Sequence, residues 1–416
     1  MAANTATTLP GRILHFLGLQ RSTIAVLGMV VLVGMGERMS ERFLPVYMMA
    51  LGGGAISIGI LSGLDNLLSA LYSFPGGYLS DRIGIKRALL VFNLIAMAGF
   101  VIVILVPAWQ AVIAGAVLFI SWSSISLPAT MGLIARVLPS GKRTMGVSMY
   151  AMVTRIPMAL GPVLGGFCIA AWGERDGVRW AFGFAFVFAV LAIVLQQKLI
   201  EEPSRGGAAA ESDVAAGSPR ALWRIMSPDL KHLLVSDILI RFCEQITHAF
   251  VVIWCMKIIA RPVSAVQFGA LASIEMATAV LIYIPVAWFA DRGSKKPFVL
   301  TTFVLFTCFP LVLMFCQNFM WLVAAFVIRG LKEFGEPTRK ALIVELSPEA
   351  HQAGMFGLYY LIRDIVVSVA AFGGAFLWEV SPQVNFIGAF CCGVLGTAFY
   401  AIWGSDTRSD NRPVTE

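Results

Sequence analysis

Charge is what this sequence has least of. Asp, Glu, Lys and Arg make up 13% of its 416 residues, whereas soluble domains carry about 25%. That shortage excludes an ordinary water-soluble domain. Histidine is scarcer still, with four in the chain. Neither a His-Glu-x-x-His pair nor a phosphate-loop glycine pattern occurs, so a metalloenzyme or a nucleotide-driven pump has no support. No nucleophile–base arrangement is visible, and no enzyme activity, bound metal or cofactor is expected. Seven cysteines (Cys168, Cys243, Cys255, Cys308, Cys316, Cys391, Cys392) all fall in apolar runs without metal-like spacing. They read as small buried hydrophobes. The period-2 alternation of barrel strands is absent too. Residues 1–22 lack a cleavable-signal pattern.

What the chain has is long apolar runs: it is 58% hydrophobic, with a mean hydropathy of +0.81. These features predict an all-α polytopic membrane protein. Twelve spans can be counted, at about 23–50, 55–79, 88–107, 109–137, 145–171, 178–198, 230–257, 266–290, 297–317, 320–346, 353–378 and 383–404. A stretch rich in Gly, Ala, Ser, Pro and charge, residues 199–229, splits them six and six. The expected organisation is a 1–22 cytoplasmic segment, a 23–198 bundle, a 199–229 linker, a 230–404 bundle and a 405–416 tail.

The net charge of +7 invites a nucleic-acid reading, but its distribution argues against one. With a cytoplasmic N-terminus, inside loops hold Arg82, Lys86, Arg87, Lys142, Arg143, Lys198, Arg205, Arg220, Arg224, Arg292, Lys295 and Lys296. Outside loops hold only Arg175, Arg179, Lys257 and Arg261. Both termini are therefore expected in the cytoplasm, and the chain in a bacterial-type inner membrane.

Against this background one stretch is anomalous. Glu37, Arg38, Glu41 and Arg42 lie inside the first apolar run, where each charge costs about 2.5–3.5 kcal/mol at a span centre. With Glu37 at zero on a helical wheel, Glu41 lies at about 40°, Arg38 at about 100° and Arg42 at about 140°. All four share one wedge, which reads as the wall of a polar cavity.

The halves repeat. Asp65 matches Glu275, Pro75 matches Pro285 and Asp81-Arg82 matches Asp291-Arg292, each 210 residues apart. Arg155 and Gly165-Gly166 match Arg363 and Gly373-Gly374 at 208, and Glu37 and Phe43 match Glu244 and Phe250 at 207. Two six-span halves with a site between them near the midplane are the plan of a secondary transporter.

Gly77-Tyr78-Leu79-Ser80-Asp81-Arg82-Ile83-Gly84-Ile85-Lys86-Arg87 resembles the loop signature of the major facilitator superfamily, with Ile85 in place of the usual basic residue. By that resemblance Gly77, Asp81, Arg82, Gly84, Lys86 and Arg87, with the degenerate copy at Asp291 and Arg292, latch the outward-facing state. Gly161-Pro162-Val163-Leu164-Gly165-Gly166 resembles the core of the antiporter motif of drug-exporting branches, without its upstream glycines. Arg329-Gly330-Leu331-Lys332-Glu333-Phe334-Gly335 resembles an R-x-x-x-G segment usually found in span 4 and tied to proton coupling. Glu41-Arg42-Phe43 is locally similar to a signature of proton-coupled peptide transporters, with the first glutamate one position out, at Glu37.

The remaining buried charges follow the same plan. In span 7, Asp237, Arg241, Glu244, Gln245 and His248 form one stripe of about 100°. In span 10, Arg329, Glu333, Glu336 and Lys340 lie within about 60°. Asp65, Arg155, Glu275, Arg363 and Asp364 enter from spans 2, 5, 8 and 11. In the family, spans 1, 4, 7 and 10 line the cavity, with 2, 5, 8 and 11 flanking it. A carboxyl beside an arginine can switch its proton affinity as the arginine moves. These residues can equally be inter-helix braces, with Arg155 and Arg363 paired to Asp65 and Glu275.

The expected protein is a monomeric carrier of a small organic solute, working by alternating access on the proton gradient, with its partners being solute, protons and bilayer. Export by proton antiport is favoured over uptake of peptides or organic anions by symport. A receptor or sensor on the same fold is the reading from another class.

Overall fold

The computed structural model describes residues 21–119, 152–199, 219–290, 294–348 and 351–405. Among these residues the secondary structure is helical throughout, with no strand. The N-terminal elements are α1 (Arg21–Glu41), α2 (Leu44–Ala50), α3 (Ala55–Ile83), α4 (Ile85–Leu105), α5 (Trp109–Phe119) and α6 (Arg155–Leu199). The C-terminal elements are α7 (Pro219–Ile225), α8 (Pro228–His248), α9 (Phe250–Ile253), a π-helix at Trp254–Ile258, α10 (Ala265–Ala290), α11 (Lys296–Phe315), α12 (Phe319–Leu331), α13 (Glu336–Glu345), α14 (Gln352–Val380) and α15 (Pro382–Trp403). Six described helices are long and apolar enough to cross a membrane, and α8 with its bent continuation makes a seventh. One of the six, α6, is 45 residues long, about twice what a bilayer needs. It leaves helical geometry at Gly173 (φ 78°), so it supplies two membrane-length pieces where spans 5 and 6 are expected. The expected span 4 from residue 120 onward and the start of span 5 lie outside the described residues.

Three expected spans are broken, and all three carry the stretches of charge described above. Span 1 stops at Glu41 and resumes at Leu44. Pro45 sits in the first turn of the second piece; its ring has no N–H for the ladder and clashes with the carbonyl four residues back, at Glu41. Span 10 stops at Leu331 and resumes at Glu336, with Pro337 in the matching position. Span 7 bends by 40° between His248 and Phe250 and ends in the π-helix. No proline or glycine accounts for that bend. The breaks at Arg42-Phe43 and Ala249-Phe250 are 207 residues apart, the offset of the sequence repeat.

The chain forms two compact units. The first comprises Met1–Gly53, Leu67–Gly207 and Ser264–Ala270. Its helices meet through glycines. A Cβ on Gly165 would lie 1.9 Å from the carbonyl oxygen of Met39, and one on Gly161 would lie 2.6 Å from Cβ of Arg38. On the other side of the same helix, Gly166 abuts the Ala265 carbonyl and Gly269 abuts that of Pro162. The Gly-Pro-x-x-Gly-Gly run therefore packs α6 against α1 on one side and against the first turn of α10 on the other. Phe43 and Phe268 meet edge to face at 5.8 Å. A polar clamp ties α4 to α6: Asn93 Nδ2 donates to Gln196 Oε1 (3.1 Å) and Gln196 Nε2 to the Lys86 carbonyl (2.7 Å).

The second unit comprises Gly54–Asn66, Ala208–Val263 and Leu271–Glu416. Its core is Leu230, Leu233, Phe303, Leu342, Tyr359 and their neighbours, all buried. Gly374 lies against the Ile246 carbonyl, where a Cβ would come within 2.4 Å. Ile246 stands 207 residues after Met39, so the same backbone position is approached as in the Gly165–Met39 crossing, but by a glycine one place further on, since the match of Gly165 at 208 is Gly373. Asn385 Nδ2 bridges the carbonyls of Ile246 (3.0 Å) and Gly374 (2.7 Å). The first half of α3 belongs to this unit, with Gly63 against the Phe372 ring and Asn66 Nδ2 donating to Gln245 Oε1 (3.2 Å).

Candidate functional site

Charged groups of α8, of the break after α12, of α13 and of α14 form one network inside the second unit. Three residues of α8, Asp237, Arg241 and Glu244, project toward it because they recur at helical spacing. Arg241 Nη1 meets Glu244 Oε2 at 2.7 Å, and its Nη2 meets Glu336 Oε2 at 3.2 Å. Lys332 donates to the other oxygen of Glu244. Arg339 donates to Asp237 through Nη1 and to Glu336 Oε1 through Nη2 at 2.7 Å. The Tyr359 hydroxyl donates to Asp237 Oδ2 at 3.0 Å. Arg363 holds Asp364 Oδ1 through Nε (2.7 Å) and Nη2 (2.6 Å), while its Nη1 lies 3.6 Å from Asp237 Oδ2. Aromatic faces complete the shell: the Arg363 guanidinium lies 4.2 Å from the Tyr360 ring centre, and the Lys332 ammonium 4.9 Å from that of Phe306. Burial of this kind is tolerable only because each carboxylate is ion-paired and hydrogen-bonded.

A second buried pair joins α10 to α12. Arg329 Nε meets Glu275 Oε1 at 3.2 Å with both side chains 3% exposed, and the guanidinium is packed on Phe309 and Phe326. Gly330 lets α12 close onto the Glu275 backbone, where a Cβ would lie 2.5 Å from the carbonyl oxygen. A small cavity lies between this pair and the network, lined by Glu244, Thr247, Phe306, Phe309, Arg329 and Lys332.

In the first unit, Arg38 Nη1 meets Glu41 Oε2 at 2.7 Å, one residue before the break in span 1. This is the same i,i+3 Arg–Glu arrangement as Arg241–Glu244 in span 7. Glu37 and Arg42, its neighbours in the chain, are half-buried, as is Arg155 at the start of α6; Asp65, in the second unit, is half-buried as well.

The structure thus brings Arg241, Glu244, Arg363 and Asp364 into one cluster, joins Glu275 to Arg329, and joins Arg38 to Glu41. Glu275 is with Arg329 rather than with Arg363, which pairs instead with Asp364 and Asp237. His248 stands at the end of α8, one turn beyond Glu244, and half-buried Glu333 stands in the break of span 10. The predicted span-10 stripe does not form as drawn. Lys340 is half exposed (52%), while Lys332 and Arg339, off that stripe, are buried. The wheel assumed an unbroken helix, and the break at residues 332–335 resets the register. The α8 stripe includes Asp237, whereas Arg339, among Glu336, Thr338 and Lys340, falls outside the span-10 stripe and carries no signal in the sequence.

In the loop signature, Gly84 has φ 91° and ψ 151°, between α3 and α4. Lys86 Nζ donates to the Gln197 carbonyl at 2.8 Å, and Arg82 and Arg87 are exposed. Gly77 and Asp81 lie in the backbone of α3, and their surroundings, like Asp291 and Arg292, lie outside the described residues.

The model of the Major Facilitator Superfamily matches residues 26–261 and 238–416. The chain belongs to that family. An uncharacterised MFS-type transporter of Methanocaldococcus jannaschii is 20% identical over 376 residues, covering 85% of this chain and 87% of the relative. The quinolone resistance protein NorA of Staphylococcus aureus is 26% identical over 186 residues, 42% of this chain and 44% of that protein. The match thus spans less than half of the resistance protein's length. Among solved structures, a nucleoside transporter, NupG, superposes with a TM-score of 0.77 at 13% identity, covering 91% of this chain and 99% of that one. A peptide transporter, POT, in complex with sulfate gives 0.72 at 16% identity, covering 92% and 93%. These likenesses establish the superfamily's helical fold. The chain is a multi-pass membrane protein of a transporter family, and not an enzyme.

Proposed function

We propose that this chain is a secondary active transporter that moves a small organic solute by alternating access and couples that movement to protons, with export in exchange for protons as the favoured direction. The observation that carries this reading is the pair of matched breaks at Arg42-Phe43 and Ala249-Phe250. Each follows an Arg–Glu i,i+3 pair within a membrane span, Arg38–Glu41 and Arg241–Glu244. Discontinuous helices are where transporters of this kind place solute and ion sites. An arginine that stays close favours the charged carboxylate, and one drawn away favours the proton. A break beside the pair gives the helix somewhere to bend. The direction rests on the Gly161-Pro162-x-x-Gly165-Gly166 run, similar to an exporter motif, and on the partial match to a protein named for quinolone resistance. The twelve-span, two-bundle plan with cytoplasmic termini belongs to this proposal.

The test is solute flux in proteoliposomes under an imposed pH gradient. Exchange predicts that solute moves against the direction of proton flow, and that Glu41→Gln and Glu244→Gln abolish the gradient dependence. Flux indifferent to the gradient would refute proton coupling. A second reading, proton-coupled uptake of peptides or organic anions, draws on Glu41-Arg42-Phe43; it predicts solute and protons moving together.

A further inference from the structure

Three hydrogen-bond donors around Asp237 have no acceptor. Arg363 Nη1 makes no hydrogen bond and stands 3.6 Å from Asp237 Oδ2. Arg241 Nε makes none and stands 3.9 Å from Asp237 Oδ1. The Tyr360 hydroxyl, on the ring that stacks under Arg363, is buried without a partner as well. Arg363 as a whole is only 9% exposed. Buried donors are ordinarily satisfied, and each one left over costs free energy comparable to a lost hydrogen bond.

The charges lean the same way. Among the described residues, the ion pairs of this network join five cations (Arg241, Lys332, Arg339, Lys340 and Arg363) to four carboxylates (Asp237, Glu244, Glu336 and Asp364), one cation in excess. Setting aside the two most exposed members, Lys340 and Asp364, leaves 4 − 3 = +1. Asp237 alone is approached by three arginines and a tyrosine hydroxyl. Among these described residues, then, the buried atoms left without a hydrogen-bond partner are donors, two of them on or against Arg363, and the ion pairs hold one more cation than carboxylates.

We propose that the second unit holds an anion-binding site at Arg363 and Tyr360, with Arg241 behind them, and that the transported solute is an organic anion that places an oxyanion group, a carboxylate by preference, on these donors. The planar guanidinium offers its Nη1 edge while Asp364 occupies the Nε side. A carboxylate there takes one oxygen to Arg363 Nη1 and the other to the Tyr360 hydroxyl. Guanidinium groups are suited to this because their fork matches the carboxylate plane and they are weakly hydrated. The added negative charge neutralises the local surplus. This deepens the transport proposal above and rests on it only for calling the ligand a solute; the binding site itself does not require transport.

The test uses the full-length protein in neutral detergent and in nanodiscs of zwitterionic lipid. Thermal unfolding is followed with benzoate against benzamide, glutarate against glutaramide, and inorganic sulfate. Binding to the folded state raises the unfolding temperature. The acids are expected to raise it and the amides to leave it unchanged. Arg363→Gln is expected to raise the half-saturating acid concentration by about 10- to 100-fold, and Tyr360→Phe by about 3- to 10-fold. Tyr360→Phe retains the stacked ring, so it keeps the test decisive should Arg363→Gln fail to fold. Equal shifts from acid and amide would overturn the proposal, as would acid shifts unaffected by Tyr360→Phe. So would stabilisation seen only with phosphatidylglycerol in the disc, which would assign the donors to a lipid headgroup. Acid binding without flux would count against the transport reading and leave this site standing. Proton-driven flux confined to cationic or neutral solutes would do the reverse.

Discussion

Arg339 donates to Asp237 across 102 residues of chain, with both side chains 1% exposed. α13 brings the arginine and α8 the aspartate, so this pair fastens the second piece of the broken span 10 to span 7. Removing one member strands a charge in a water-free setting, at a cost of about 3–5 kcal/mol. Arg339→Gln and Asp237→Asn are each expected to lower the unfolding temperature by several degrees. The double variant should be less destabilised than the two singles summed, by about 1 kcal/mol or more. Additive losses in a double-mutant cycle would show that the pair does not act as a unit.

The glycines of α6 and α14 make unequal predictions. Gly165→Ala and Gly374→Ala drive a methyl group into backbone carbonyls and should destabilise by about 1–3 kcal/mol. Gly373→Ala, next door, meets nothing within 4 Å and should be neutral or stabilising by up to about 1 kcal/mol, since alanine is the better helix former. Chemical denaturation of the three variants side by side checks this. If Gly373→Ala and Gly374→Ala behave alike, the crossing geometry is wrong.

Gly84 supports a third prediction. Its φ of 91° with ψ 151° belongs to a region that side chains avoid. Gly84→Ala should cost about 1–3 kcal/mol and shift the turn that places Lys86 beside the Gln197 carbonyl. Limited proteolysis at the α3–α4 turn, compared with Gly357→Ala, where nothing lies within 4 Å, reads out the difference.

The Glu275–Arg329 pair makes a fourth. Its arginine is packed against two aromatic rings. Glu275→Gln or Arg329→Met alone should destabilise strongly, while Glu275→Leu with Arg329→Met should recover most of the loss, because apolar replacements of a buried pair are often near neutral. If the double variant is stable yet inactive in the flux assay, the pair serves function rather than packing.

Much of the site was legible from sequence because lipid is an unforgiving solvent. A charge within an apolar run has to face protein or water, so Glu41, Arg241, Glu244 and Arg329 could be singled out without knowing their partners. The repeat was legible for the same reason: the spacing of prolines, glycines and charges survives when apolar residues interchange. What stayed hidden was register. A helical wheel has no break in it, so the turn at residues 332–335 went unseen and Arg339 was placed off the polar face. Pro45 and Pro337 were the available signals. Each forces a break by removing a backbone donor and crowding a carbonyl one turn back, and reading them that way would have divided spans 1 and 10 correctly. The bend after His248 has no such marker, and only its offset of 207 from the first break foretells it.

The duplicated crossings also constrain how the two halves diverged. In the first unit Gly36 lies against Ala185 of α6; 207 and 208 residues later, Cys243 lies against Gly393 of α15. The small residue has changed sides. A contact this close limits the combined bulk of the two positions and not the identity of either one. A lineage passing from one arrangement to the other through side chains on both helices would have pushed them apart in the interval. Glycine on both sides is the arrangement to which either helix can add a side chain without meeting one on the other.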